Sequence, residues 1–283
     1  MTRETASQMS RVIGTEIRRI RRRAGIQAVY VAEMAGWEPS KMSRIEHGYR
    51  LPVLDECPRL LGLIRATPGE FSELMSLFRT APDGYYLWRH GPGQSEQLDC
   101  LHKLELEADS LAMYDPAGVP ELLHEESTIR AFLALGSTEP GGLVKSRVQA
   151  RLKQQWAFAE STLARATFFI DERCIHGFAG VSDIMQKQLR HLEFLAMTSR
   201  THVRIIPLSA TMVAQHGAVT IFESDSLPAS VRIRTPLATL VLENEEDVSY
   251  YKHVLADIEQ SALSEDQSLT RLGELIQDSE VEI

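Results

Sequence analysis

Asp171 and Glu172 stand side by side at the end of the apolar run Phe168-Phe169-Ile170, while Arg147, Arg151 and Gln155 recur at helical spacing upstream. Carboxylates at a strand end, faced by guanidinium and amide groups from one helix, could line a polar ligand pocket, because ligands of open α/β sheets collect at strand ends. The same residues could equally be an ion pair tying helix to sheet, since a buried carboxylate needs a partner. Cys174 lies two residues from His176, a thiol and an imidazole without a third group to orient them. There is no GxSxG, no GxxxxGK[ST], and the glycines between Gly177 and Gly180 do not form GxGxxG. His176, His191, His202 and His216 fit neither HExxH nor a compact ligand spacing, so no metal and no cofactor is expected, and no catalytic residue is assigned.

What positions these groups follows from composition and period. With 283 residues, 43% hydrophobic and 24% charged, the chain is expected to be globular and long enough for two domains. Its net charge of -9 argues against nucleic acid held by bulk positive charge. The charge is unevenly placed, however: ten basic and five acidic residues precede Pro52, leaving the remainder at -14. A small basic head on an acidic body is a functional asymmetry. Three cysteines at wide spacing suit reduced thiols. No apolar run could span a bilayer and the first eleven residues are polar, so a cytoplasmic chain with no membrane partner is expected.

In the head, Val12, Ile13, Ile17 and Ile20 recur at helical period, with Arg18 to Arg23 largely on the other face and Gly25 as the stop. Val29, Ala32, Met34 and Ala35 predict a second helix ended by Gly36, and Pro39 opens a third carrying Met42 and Ile45. Two short helices about a glycine turn are a helix-turn-helix. Further patterns over Val53 to Ile64 and Pro68 to Phe78 complete an all-α bundle of five helices.

The stretches Ile13 to Arg18, Ala32-Glu33-Met34-Ala35-Gly36-Trp37 and above all Ser40-Lys41-Met42-Ser43-Arg44-Ile45-Glu46-His47-Gly48 resemble the lambda-repressor/Cro-like, or XRE, class of DNA-binding domains. The resemblance implies that the third helix enters the major groove of double-stranded DNA, with Gln27, Ser40, Lys41, Arg44 and Arg50 contacting bases or phosphates and Glu46 structural. The sequence departs from that pattern at Ala28, Glu38 and Pro39, which remove a cap and an amide and set a carboxylate where phosphate would lie.

Turn signals at Ala81-Pro82-Asp83-Gly84 and His90-Gly91-Pro92-Gly93 place a linker over 81–97 between a head at 1–80 and a body at 98–283, with Tyr85, Tyr86 and Trp88 as packing aromatics inside it. The body is expected to begin with a helix from Leu98 to Met113, followed by helices over Val119 to Leu135 and Leu143 to Ala164. About five strands follow, at 166–170, 202–206, 218–222, 230–234 and 238–242, with a helix from Ser182 to Met197 between the first two and helices over Asp247 to Ala262 and Ser268 to Ile276 at the end. Strand, helix, strand suggests a parallel crossover and the later strands suit hairpins, giving an α+β chain with a mixed α/β body.

Tyr114-Asp115-Pro116, Val119-Pro120-Glu121-Leu122-Leu123, Arg147 to Arg151 with Gln155, Ile170-Asp171-Glu172-Arg173 and Gln188-Leu189-Arg190-His191-Leu192 resemble the DUF5753-type C-terminal domain of antitoxin-like actinobacterial regulators. Glu121 departs from the glycine usual there and sets a charge at a close approach. Together the resemblances imply a dimeric transcriptional regulator whose body senses a small molecule or a small protein encoded nearby. The alternative reading is a small-molecule-processing enzyme or ligand-binding protein whose head no longer binds DNA.

Overall fold

The computed structural model describes residues 7–81, 84–89, 108–134, 141–176, 182–210, 217–235 and 238–281. The head is all-helical: α1 (Gln8–Arg23), α2 (Ala28–Ala35), α3 (Pro39–Glu46), a 3-10 turn (Leu54–Glu56), α4 (Cys57–Leu63) and α5 (Pro68–Thr80). Helix α1 begins at a capping box in which Ser7 and Ser10 satisfy each other's backbone N–H. It ends where Gly25 turns left-handed (φ 69°). Met9, Val12, Ile13, Ile17 and Ile20 form one fully buried stripe of this helix. Burial of side chains of this kind contributes about 1.5–3 kcal/mol apiece and holds the bundle together.

Among the described residues, seven strands make a single mixed sheet: β1 (Tyr85–Arg89), β2 (Ser110–Tyr114), β3 (Arg165–Asp171), β4 (Thr201–Ile206), β5 (Val219–Glu223), β6 (Ser230–Arg234) and β7 (Ala238–Leu242), in the order β1-β7-β6-β5-β2-β3-β4. The expected crossover is present, with β3 and β4 parallel around the intervening helix, and β5, β6 and β7 form an antiparallel meander. The body's helices are α6 (Glu126–Ala134), α7 (Gly141–Glu160), α8 (Glu172–His176), α9 (Ser182–Ala196), α10 (Glu245–Ser261) and α11 (Glu265–Val281). The chain is thus α+β, an all-helical head followed by a mixed sheet with helices.

Three sequence expectations are corrected. Tyr85–Arg89, placed in a linker, is a strand paired residue for residue with β7; residues 90–97 lie outside the described residues. Ser110 to Met113, read as the end of a helix, belongs instead to the strand Ser110–Tyr114 between β5 and β3, and 98–107 likewise lie outside the described residues. Val119 to Leu135 is not one helix: a 3-10 turn at Glu121–Leu123 precedes α6. The Gln188 side chain intervenes there, accepting from the Glu125 N–H at 2.9 Å and donating to the Leu123 carbonyl at 2.7 Å.

One face of the sheet packs on α10 through Tyr114, Phe169, Ile221 and Val231. The opposite face belongs to a hydrophobic cluster that runs from the head into the body, joining Met9, Leu77 and Phe78 to Tyr86, Leu111, Phe168, Phe222 and Val241. Polar bonds fix the junction. The Met9 N–H donates to Glu243 Oε1 at 2.8 Å, Ser230 Oγ donates to Gln8 Oε1 at 2.5 Å, and Ser76 Oγ on α5 donates to the Leu87 carbonyl of β1 at 3.1 Å. Head and body therefore share a core.

Candidate nucleic-acid interface and the polar cluster of the body

Helix α3 is held by close contacts with α1. A Cβ at Gly14 would lie 2.4 Å from the Ile45 carbonyl oxygen, so the two backbones touch where a larger residue could not fit. Glu46 is buried and takes two guanidinium N–H groups from Arg21, while Arg18 reaches it at 3.3 Å. Met42, Ile45 and Glu46 thus face inward, and Ser40, Ser43, Arg44 and His47 are exposed along the other side. That outer row is polar and carries a guanidinium, a group that can donate to base edges or phosphates.

The sequence-predicted interface residues divide into two groups. Gln27 is exposed at the N-cap of α2 with its side chain making no cap bond. Arg44 is exposed and touches Ser40 Oγ at 3.5 Å. Lys41 is turned to the protein instead: it pairs with Glu56 and stands 4.3 Å over the Trp37 ring. Arg50 is half-buried and engaged within the protein.

The basic surplus of the head is largely spent internally. Arg18 and Arg21 pair with Glu46, Arg19 with Glu16 and Glu70, and Arg23 with Glu70. Burial pushes the Glu70 carboxyl up, but Arg23, the Thr67 N–H and Arg19 overcome it and hold the group at about 2. Glu73, on the same helix, has only a weaker attraction from Arg19: burial and then repulsion from Glu16 and Glu70 raise it to about 8, and its buried Oε1 finds no hydrogen bond among the described residues. Glu70 lies beyond Pro52, so the charge that neutralises Arg19 and Arg23 belongs to the acidic remainder of the chain.

In the body, the five residues expected to form one pocket do not come together. Asp171 pairs with Arg173, and Glu172 with Arg271 and His176. Arg151 turns to Glu121 at 2.6 Å, and Gln155 donates to the main-chain oxygens of Glu121 (3.1 Å) and His124 (2.8 Å). Arg147, one turn before Arg151, is half-buried and engaged. His202 pairs with Glu265 at 2.9 Å, Cys174 is pushed up to about 11 by burial, and His216 and the Gly177 to Gly180 glycines lie outside the described residues.

The cluster that does form centres on Glu121. Arg151 from α7 and Arg234 from β6 both donate through Nη1 to the same oxygen, Glu121 Oε2. Arg232, two residues back on the same face of β6, is 5% exposed and lies 5.1 Å from the Phe222 ring centre. Although burial raises it, the Glu121 carboxyl is held well below the usual carboxylate range by Arg151, Arg234 and Arg232. Burial lowers Arg234, and repulsion from Arg151 and Arg232 adds to this. Asp115 is raised, by burial first and also by Glu121, and burial lowers His124, stacked on Phe132 at 5.3 Å, to about 4. The sequence held a signal for this cluster: Ser230-Val231-Arg232-Ile233-Arg234 alternates, so its arginines share one strand face and require an acid opposite.

Comparison with known proteins gives two family matches. Residues 12–74 match a helix-turn-helix domain, the segment that presents α3, and the presence of that domain suggests a DNA-binding regulator. No curated protein matches the chain. Residues 98–274, well over half of the length, match the domain of unknown function DUF5753, and the chain therefore belongs to the DUF5753 family, with a helix-turn-helix domain ahead of that region.

Proposed function

We propose that the protein is an XRE-type transcriptional regulator that binds double-stranded DNA as a homodimer in the cytoplasm and whose body responds to a small molecule or a small partner protein. The observation that carries this reading is the exposed row Ser40, Ser43, Arg44 and His47 on a helix whose other side is keyed to α1. Arg44 and Ser40 face base edges in this arrangement, and Gln27 at the start of α2 meets phosphate, while Lys41 braces α3 through Glu56 and Trp37. Work divides between a head at 1–80 and a body at 98–283, with β1 as the join. Two half-sites about one helical turn apart require two heads, which supports the dimer. No described helix is long and apolar enough to cross a membrane.

The test is fluorescence anisotropy with labelled duplex from the region upstream of the protein's own gene, over a series of salt concentrations. Binding that weakens steeply with salt, and that Arg44→Ala weakens further, is expected. Absence of binding by the wild-type protein at low salt would overturn the proposal.

A further inference from the structure

We propose that Arg151 and Arg234, with Arg232 behind them, form a binding site for the oxyanion of a small-molecule effector, a phosphate or carboxylate group, and that Glu121 is its displaceable internal occupant. The inference rests on the reading that the body senses a ligand, and it names where and of what class.

Two guanidiniums from separate elements converge on a single carboxylate oxygen, Glu121 Oε2, and a third stands two residues along the same strand face. Convergent, like-charged donors of this kind match the geometry of phosphate and carboxylate recognition. For stability alone the arrangement is a poor choice, since well-packed apolar side chains would serve as well or better. The cluster is half-buried and keeps partial access to solvent: 19% of the Glu121 side chain is exposed, 18% of Arg151 and 31% of Arg234. Its position is that of a ligand site, because Asp115 follows β2 and Arg234 ends β6, two strands that run in the same direction.

Displacement needs little rearrangement. The Gln155 amide holds the main-chain oxygens of Glu121 and His124, so the turn can stay in place while the carboxylate alone swings out. A phosphate offers more acceptor oxygens than the carboxylate it replaces and can engage Arg232 as well. The strand that carries Arg234 and Arg232 also carries Ser230, which donates to Gln8 of α1, so one β-strand spans from the anion cluster to the head.

The test is isothermal titration of the full-length chain, without DNA, with potassium phosphate and separately with sodium succinate, against chloride of matched ionic strength. Glu121→Gln removes the competing charge and keeps the side chain's shape. It is expected to bind one of the two anions at least roughly tenfold more tightly than wild type, and Glu121→Gln/Arg234→Gln should lose that gain. Preference for phosphate assigns a phosphoryl effector, and preference for succinate a carboxylate one. A folded Glu121→Gln that binds neither anion better than wild type, or a gain that survives Arg234→Gln, overturns the proposal. If Glu121→Gln does not fold, the wild-type arginine Nε–H resonances decide: saturable shifts of Arg151 and Arg234 with millimolar anion support the site, and their absence overturns it. A head that binds no DNA would leave this result standing, and a failed titration would leave a DNA result standing.

Discussion

Glu46 receives two parallel N–H groups from Arg21, joining the last residue of α3 to the last turn of α1 inside the head. Both side chains are nearly closed to water, at 4% and 10% exposure, so each is the other's main compensation for leaving solvent. Removing one partner of such a pair leaves a buried charge, and Glu46→Ala should destabilise the head by about 3 kcal/mol. The double change Arg21→Met/Glu46→Leu should cost much less than the sum of the single changes. Urea denaturation of the four proteins measures the coupling, and additive losses would show that the pair does not hold α3 in place.

Gly48 sets a second constraint on the same helix. It is left-handed (φ 71°), and a Cβ there would come within 2.5 Å of the Arg11 backbone. Strain and clash add, so Gly48→Ala should cost about 2 kcal/mol or more and shift the loop after α3. Thermal unfolding checks the loss, and an unchanged midpoint would mean that α1 and the loop can separate without cost.

Glu73 predicts a pH dependence of definite sign. Its carboxyl is raised in the folded head to about 8, chiefly by burial, so the native state binds the proton more tightly than the unfolded chain. The contribution to stability is complete below the ordinary glutamate range, near 4.5, and is lost as pH rises through that range to about 8. Glu73→Gln should therefore gain stability over wild type on the alkaline side and not in acid. Screening at this partly exposed position limits the gain to about 1 kcal/mol. Melting curves from pH 4.5 to 9 decide it: parallel curves for the two proteins would place the Glu73 carboxyl in the ordinary range.

Much of this architecture was legible in the sequence, and the failures have physical causes. The helical stripe Val12, Ile13, Ile17, Ile20 and the β-branched runs at 202–206 and 230–234 match local preference to final structure. Ser110-Leu111-Ala112-Met113-Tyr114 does not: leucine, alanine and methionine favour helix, and the segment is a strand because β5 and β3 pair with it on either side. Tyr85 to Arg89 has strand chemistry, but its flanking turn residues make five residues look like a connection, and its partner β7 lies some 150 residues away. The row on α3 was legible because one helix carries it. The cluster at Glu121 was not, because its members come from a turn, a helix and a strand.

The shared core of head and body makes a prediction about cooperativity. Gln8 and Ser230 are fully buried where they meet, and Glu243, raised by burial, accepts the Met9 N–H. A chain welded in this way should unfold in one calorimetric transition. Ser230→Ala leaves Gln8 Oε1 without its donor, at a cost of about 1–3 kcal/mol. Combined with Glu243→Ala, it should split the transition into two. Two transitions already present in the wild-type protein would show that the junction does not couple the halves.

Lys41 and Arg44 are neighbours on one helix with opposite commitments. Lys41 is held by Glu56 and the Trp37 ring, whereas Arg44 is exposed and touches only a serine hydroxyl on its own helix among the described contacts. Charge counting treats the two alike; the geometry does not. Arg44→Ala should leave the melting temperature nearly unchanged and weaken operator binding by about 1–3 kcal/mol, the range for a bidentate base contact. If Arg44 meets phosphate instead, the loss should be uniform across sequences and the salt slope should fall by about 1. Lys41→Ala should do the reverse of the first case, lowering the stability of the head while changing sequence preference little, because what it removes is a brace between α3 and the turn before α4. Anisotropy titrations on operator and scrambled duplex, set beside melting curves, separate these outcomes. Equal losses of affinity for both variants, with stability intact, would mean that Lys41 leaves Glu56 to bind DNA.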